Sequence, residues 1–158
     1  MNALDIEIAV ARHFGWRNNI IVPNVSWGLL DYEADMVIVR PSGWAIEVEI
    51  KVSRNDIKAD LEKWHNHGAK CFQRFYFAVP DELKDDPNIP AHAGIISVGD
   101  YEGRKRLSCE IHRVAPLRRD AHKLDESKIR KLLELGTMRI WSLKEHARSR
   151  MEWRKKTA

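Results

Sequence analysis

Apolar and polar residues alternate twice between positions 34 and 51, each time with the two-residue period of a β-strand. The first run is Ala34-Asp35-Met36-Val37-Ile38-Val39-Arg40. The second is Trp44-Ala45-Ile46-Glu47-Val48-Glu49-Ile50-Lys51, and Pro41-Ser42-Gly43 stands between them. The pattern predicts a hairpin. Ahead of it, residues 2–14 follow the period of an amphipathic helix, with Ala3, Leu4, Val10, Ala11 and Phe14 on one side and Asp5 and Arg12 opposite. A short strand is predicted near 19–23. Behind the hairpin, Ser53 with Asp56 three residues on marks the start of a helix over 54–66, and Gly68 marks its end. Residues 72–79 are aromatic-rich, read as a buried strand, and stop at Pro80. A polar loop with one helical turn spans 81–90. Shorter strands follow over 94–98 and 109–114, around a turn at Tyr101-Glu102-Gly103. The stretch 126–150 is helical, with Gly136 expected to break it.

The element order is thus αβββαβ, then two small strands and a C-terminal helix. The strand-helix-strand passage over 44–79 implies a parallel pair within a mixed sheet, because such a crossover returns in the same direction. The fold class is α/β, a mixed sheet flanked by helices, with the acidic side of the hairpin near one edge. No repeat, low-complexity stretch or long linker divides the 158 residues, so they read as a single domain. Its core covers about 2–80, an extension covers 94–150, and a basic tail covers 148–158.

Composition narrows the setting. Hydrophobic residues are 44% and charged residues 32%, a globular balance. No run reaches the roughly 20 apolar residues of a membrane span, and the N-terminus lacks a signal-peptide pattern, so a cytoplasmic location is expected. Cys71 and Cys109 have no paired spacing and read as reduced thiols rather than a disulfide or zinc site. The net charge is +4, unevenly spread. From Lys144 onward six basic residues face two acids, and Arg104-Lys105-Arg106 and Arg118-Arg119 add clusters. This distribution permits a nucleic-acid partner without establishing one.

The chemistry concentrates in the hairpin. Trp44, Ile46, Val48 and Ile50 share one face of the second strand, and Glu47, Glu49 and Lys51 share the other. A three-residue loop with Pro41 first and Gly43 in the left-handed region pairs Arg40 with Trp44. Counting outward then sets Asp35 opposite Glu49, with Cβ atoms about 4.5–5.5 Å apart. Two carboxylates at that distance repel unless a cation or proton lies between them. A register shift of one residue would instead put Asp35 on the other face; Asp31 and Glu33 share its parity, so a shifted hairpin could also swap the ligand. Glu7 falls within the apolar arc of the first helix, where it is either paired with a buried base such as Lys51 or turned toward a metal. Asp35 and Glu49 are the natural ligands for Mg²⁺, which takes oxygen donors and keeps waters. Lys51 is placed to orient a water or to neutralise charge on a phosphoryl group. No glycine-rich phosphate loop and no connected serine–histidine pair is present.

These residues resemble the motif of the PD-(D/E)xK nuclease superfamily: Asp35 at one strand end and Glu49-Ile50-Lys51 on the next. Glu49 through Ser53, Asp56, Asp60 and Lys63-Trp64 to Phe75-Tyr76-Phe77-Ala78-Val79-Pro80, and later Gly94-Ile95-Ile96, are similar to a group of bacterial DNA-repair proteins, the MmcB-like proteins. The resemblance covers roughly 2–115 in outline and implies a restriction-endonuclease-like αβββαβ core. It implies a Mg²⁺-dependent endodeoxyribonuclease, with Mn²⁺ able to substitute, acting in DNA repair, recombination or mobile-element processing. It implies metal binding by Asp35, Glu49, the Ile50 carbonyl and Glu7, with Asp35, Glu49, Lys51 and Glu7 catalytic. Ala34 stands where the name-giving proline would be, and Glu47 could compete with Glu49 or serve a second metal. A homodimer is compatible with cutting both strands. The alternatives are a nucleic-acid-binding or adaptor protein that keeps the fold without catalysis, and a ligand-free ion-pair network of Glu7, Glu47, Glu49 and Lys51. Asp60 is read as an ion-pair partner of Lys51 or Lys58, Lys58 as a phosphate contact or a solvated lysine, and Trp64 as a core residue. His65-Asn66-His67-Gly68 is read as a helix end rather than a second nuclease motif.

Overall fold

The turn between the two alternating segments sets the register of the whole sheet. Gly43 adopts φ 83°, its N–H donates to the Arg40 carbonyl at 2.9 Å, and the Arg40 N–H donates to the Trp44 carbonyl at 2.9 Å. From this closure the strands β2 (Ala34–Val39) and β3 (Ala45–Ile50) run antiparallel, pairing Val39 with Ala45, Val37 with Glu47 and Met36 with Val48. The expected pairing is therefore the one adopted. The structure is a computed structural model, and it describes residues 1–26, 29–61, 69–101, 103 and 106–157.

The remaining elements are α1 (Ala3–Phe14), β1 (Ile20–Val25), α2 (Arg54–Leu61), β4 (Phe72–Pro80), a 3₁₀ turn (Asp81–Leu83), β5 (Gly94–Gly99), β6 (Ser108–Arg113) and α3 (Glu126–Thr157). The six strands lie in chain order. β1, β2 and β3 are mutually antiparallel, β3, β4 and β5 are parallel, and β6 returns antiparallel to β5. The sheet is mixed and the class is α/β, with the parallel crossover where the alternation placed it. The acids of the hairpin sit on β2 and β3, which are interior strands; β1 covers the edge where the hairpin was expected to lie. Pro23 is tolerated in β1 because an edge strand has an unpaired side.

Period two divides the core. Met36, Ile38, Ile46, Val48, Ala78, Ile96 and Val98 face α1 and meet Ile6, Ala9 and Val10. The opposite face carries two clusters. Val22, Val37, Val39, Ala45 and Phe72 pack with Leu132 of α3, while Phe75, Phe77, Val79 and Ile95 pack with Ile57 of α2. Gly94 permits one tight contact. A Cβ there would come within 2.4 Å of the Tyr76 ring and 2.6 Å of the Ala115 amide nitrogen.

Two helices differ from expectation. In α1 the packed side is Ile6, Ala9 and Val10, whereas Leu4 is 60% exposed and Ala3 is also exposed. The sheet meets α1 from its second turn onward, so its first turn overhangs solvent and Glu7 lies on the flank of the buried stripe. α3 does not break at Gly136. The residue faces β1, where an added Cβ would make ordinary contact with Val22 at 3.7 Å, and packing carries the helix through. The tail that reads as a separate basic segment continues α3 to Thr157, and every described side chain from Ile140 to Trp153 is exposed. The expected end of α2 over 62–66, Trp64 and the His65–Gly68 stretch lie outside the described residues. Among the described residues no helix is long and apolar enough to cross a membrane.

Candidate active site

The first residues of β2 and the last residues of β3 bring opposite strands' carboxylates together. The Asp35 N–H donates to Glu49 Oε1 at 3.3 Å, and the Ile50 N–H donates to Asp35 Oδ2 at 2.7 Å. Each acid thus bonds the backbone of the other strand. Ile50 directs its N–H toward β2, and in an antiparallel pair a residue's N–H and C=O point to the same neighbour, so its carbonyl lies on the Asp35 side.

Lys51 extends the cluster toward α2. Its Nζ lies 3.0 Å from Glu49 Oε2 and 2.7 Å from Asp60 Oδ1, and 5.6 Å from the centroid of the Phe77 ring. Glu49 is 1% exposed, Asp60 5% and Lys51 6%. Buried charges persist only when paired and hydrogen-bonded, and these three satisfy one another. Asp60 therefore pairs with Lys51, while Lys58 is exposed.

Glu7 approaches from α1. It is half-buried, and its carboxyl holds its proton to higher pH than usual because of burial first and the neighbouring Asp35 charge second, with Arg139 acting in the opposite direction. Arg139 was not anticipated. It stands on α3, beyond the region taken as core, donates to the Asn24 carbonyl, and has a buried Nε with no hydrogen-bond partner among the described residues. Nothing in the sequence separates it from the other basic residues of the helix; the docking of α3 on β1 does.

Glu47 points to the same face but serves elsewhere. It is fully buried and accepts from the Tyr32 hydroxyl at 2.9 Å. Burial, and then Glu47, push the Tyr32 phenol far above its ordinary range. Asp31 and Glu33 are exposed and precede β2, so the shifted register is not used. Cys71 is buried and Cys109 half-buried; both are free thiols, and burial pushes Cys109 up to about 12.

The structure therefore gathers Asp35, Glu49, Ile50 and Lys51, adds Asp60, and sets Glu7 within electrostatic reach of Asp35. Among the described residues no group of three or more His, Cys, Asp or Glu side chains is close enough to hold a metal ion by itself. Two carboxylates and a carbonyl are nonetheless a donor set that suits Mg²⁺, which completes its shell with water and substrate oxygens.

Comparison with known proteins adds a family and a fold. A family model described as MmcB-like, DNA repair protein MmcB-like, matches residues 2–139. No curated protein matches the chain. The solved structure of a protein of unknown function from Silicibacter pomeroyi is similar, with TM-score 0.65 and 23% identity, over 94% of this chain and 92% of that one.

Proposed function

The chain belongs to the MmcB-like DNA repair protein family, and from that premise we propose that it is a Mg²⁺-dependent endodeoxyribonuclease of the PD-(D/E)xK kind. Its place in a DNA-repair family makes DNA the substrate to test first. The observation that carries the reading is the meeting of Asp35 and Glu49 across two strands with Lys51 at 3.0 Å from Glu49.

In this reading Asp35, Glu49 and the Ile50 carbonyl hold the ion, and Glu7 assists beside Asp35. When bound, Mg²⁺ lowers the pKa of a coordinated water and stabilises charge on phosphoryl oxygens. Lys51 supplies a fixed ammonium for the negative charge that builds on the phosphate. Glu49 and Asp60 hold that ammonium in place, so little reorganisation accompanies the reaction. Glu7, with its raised proton affinity, is suited to bond a water near Asp35 and accept its proton.

A second reading is a DNA-binding protein that keeps the fold without cutting. It draws on Lys51 being engaged by two carboxylates rather than free to meet a substrate. Incubation of labelled single-stranded, duplex, flap and four-way-junction DNA with Mg²⁺ or Mn²⁺ separates the two. The nuclease reading expects cleavage by the wild type and a loss of about 10²-fold or more in Asp35→Asn, with circular dichroism unchanged, and in Lys51→Ala assayed below its lowered melting temperature. It also expects Mg²⁺ to raise the melting temperature of the wild type but not of Asp35→Asn. Undiminished cleavage by folded Asp35→Asn would refute the assignment.

A further inference from the structure

We propose that the groove between the later turns of α1 and the start of β6 binds a backbone phosphate of nucleic acid outside the cleavage centre. This rests on the reading of DNA as the partner, but not on the cleavage chemistry. The groove has a volume of about 280 Å³ and is lined by Arg12 and His13 of α1 and by Arg106, Leu107 and Ser108 leading into β6. A neighbouring recess of about 530 Å³ shares Arg12, Arg106 and Leu107, so these residues stand between two adjoining hollows.

Arg12 is the central observation. Its Nη1 donates to the Leu107 carbonyl at 3.3 Å, which fixes the guanidinium in the groove. Its Nε is buried without a hydrogen-bond partner among the described residues. Among the described residues Arg12 makes no ion pair with a carboxylate. A half-buried guanidinium without a counter-charge is costly to the fold, and an anion entering the groove would supply what is missing. The acid that lines the recess, Asp5, is engaged in the helix cap, accepting from the Asn2 N–H at 2.9 Å. Arg106 is exposed at the rim, the last residue of the Arg104-Lys105-Arg106 run. Two arginines, a histidine and a hydroxyl suit a phosphodiester oxygen and offer no base-reading geometry.

The position suits a nucleic-acid chain rather than a free ion. Ser108 pairs with Gly99 at the carboxyl end of β5, the end of the parallel strands where β3 presents Glu49. Glu7 and Arg12 leave α1 on opposite flanks of its sheet-facing stripe, so the acids and the groove lie on either side of this helix. A strand or duplex reaching both would straddle α1.

Binding of fluorescein-labelled duplex and single-stranded DNA, read by anisotropy without divalent metal across a salt series, tests this. Arg106→Gln and Arg12→Gln should each weaken binding several-fold whatever the sequence, and each should lower the slope of log affinity against log salt by about 1. Arg12→Lys should restore the salt slope. Arg106, being exposed, can be replaced without threat to folding, and a thermal melt checks Arg12→Gln. Unchanged affinity and slope in folded Arg106→Gln and Arg12→Gln would overturn the proposal, as would a wild type that binds no DNA. A wild type that binds DNA through these arginines but does not cut it would leave the groove standing and remove only the nuclease reading.

Discussion

Lys51 has two carboxylates within 3.0 Å and almost no contact with water. Such a group tolerates the loss of either partner poorly, because the remaining charge is stranded in a low-dielectric layer. Asp60→Ala should destabilise the protein by about 3 kcal/mol, the lower end for a broken buried pair since Glu49 remains. A shift of the urea midpoint at unchanged slope is the measurement; no shift would show that water reaches Lys51. At this scale the sequence was informative where a short-range rule fixes direction. Period two put Glu47, Glu49 and Lys51 on one face, and the Pro41-Ser42-Gly43 turn put Asp35 opposite Glu49. The pairing of Lys51 with Asp60 was one of two weighed, and burial chose between them. Arg139 was invisible because its charge acts on Glu7 across more than a hundred positions of chain and depends on the angle at which α3 lies on β1. The diversion of Glu47 to Tyr32 was equally hidden, since the segment before β2 has no period to place Tyr32.

Elements were legible in proportion to how far their own residues decide their packing. The hairpin, β4 and β5 carry alternation or unbroken apolar runs, and they formed within a residue or two of expectation. Of the side expected to be buried in α1, Val10 is buried and Ala11 and Phe14 pack against the core, whereas Ala3 and Leu4 are exposed, because a helical wheel cannot say which turns overhang the sheet. Propensity predicts a break of α3 at Gly136, and the packing of α3 on β1 overrides it. Gly94 illustrates the reverse case, a residue whose importance lies in tertiary contact alone. Gly94→Ala should cost about 1–3 kcal/mol, since its methyl group would overlap the Tyr76 ring and the Ala115 backbone at once. Thermal unfolding reads the loss, and an unchanged melting temperature would mean that the strand-to-backbone approach is loose.

Across the whole molecule, one polar cluster ties the sheet's carboxyl end to the turns beyond it. Asp81 Oδ1 accepts from Lys84 at 2.9 Å, from Ser97 at 2.7 Å and from Tyr101 at 2.8 Å, joining the end of β4 to β5 and the turn that follows. The Lys84 ammonium and the two hydroxyls hold the Asp81 carboxyl down at about 2 from an ordinary 3.8. A depressed carboxyl stabilises the fold above its unfolded value and loses that contribution as pH falls through the folded one. Asp81→Asn should therefore lower the melting temperature at pH 6 by a modest amount, and wild type and variant should converge as the pH approaches 2. A constant difference down to that pH would exclude the carboxylate as its source. The turn after β3's partner carries a heavier obligation. One residue added to or removed from Pro41-Ser42-Gly43 would rotate β3 by half a repeat, sending Glu47, Glu49 and Lys51 into the layer under α1 and Ile46 and Val48 out of it. A hairpin of altered length is thus closed to descent with variation in this lineage, since it would forfeit the greasy interior and the acidic cluster in one step.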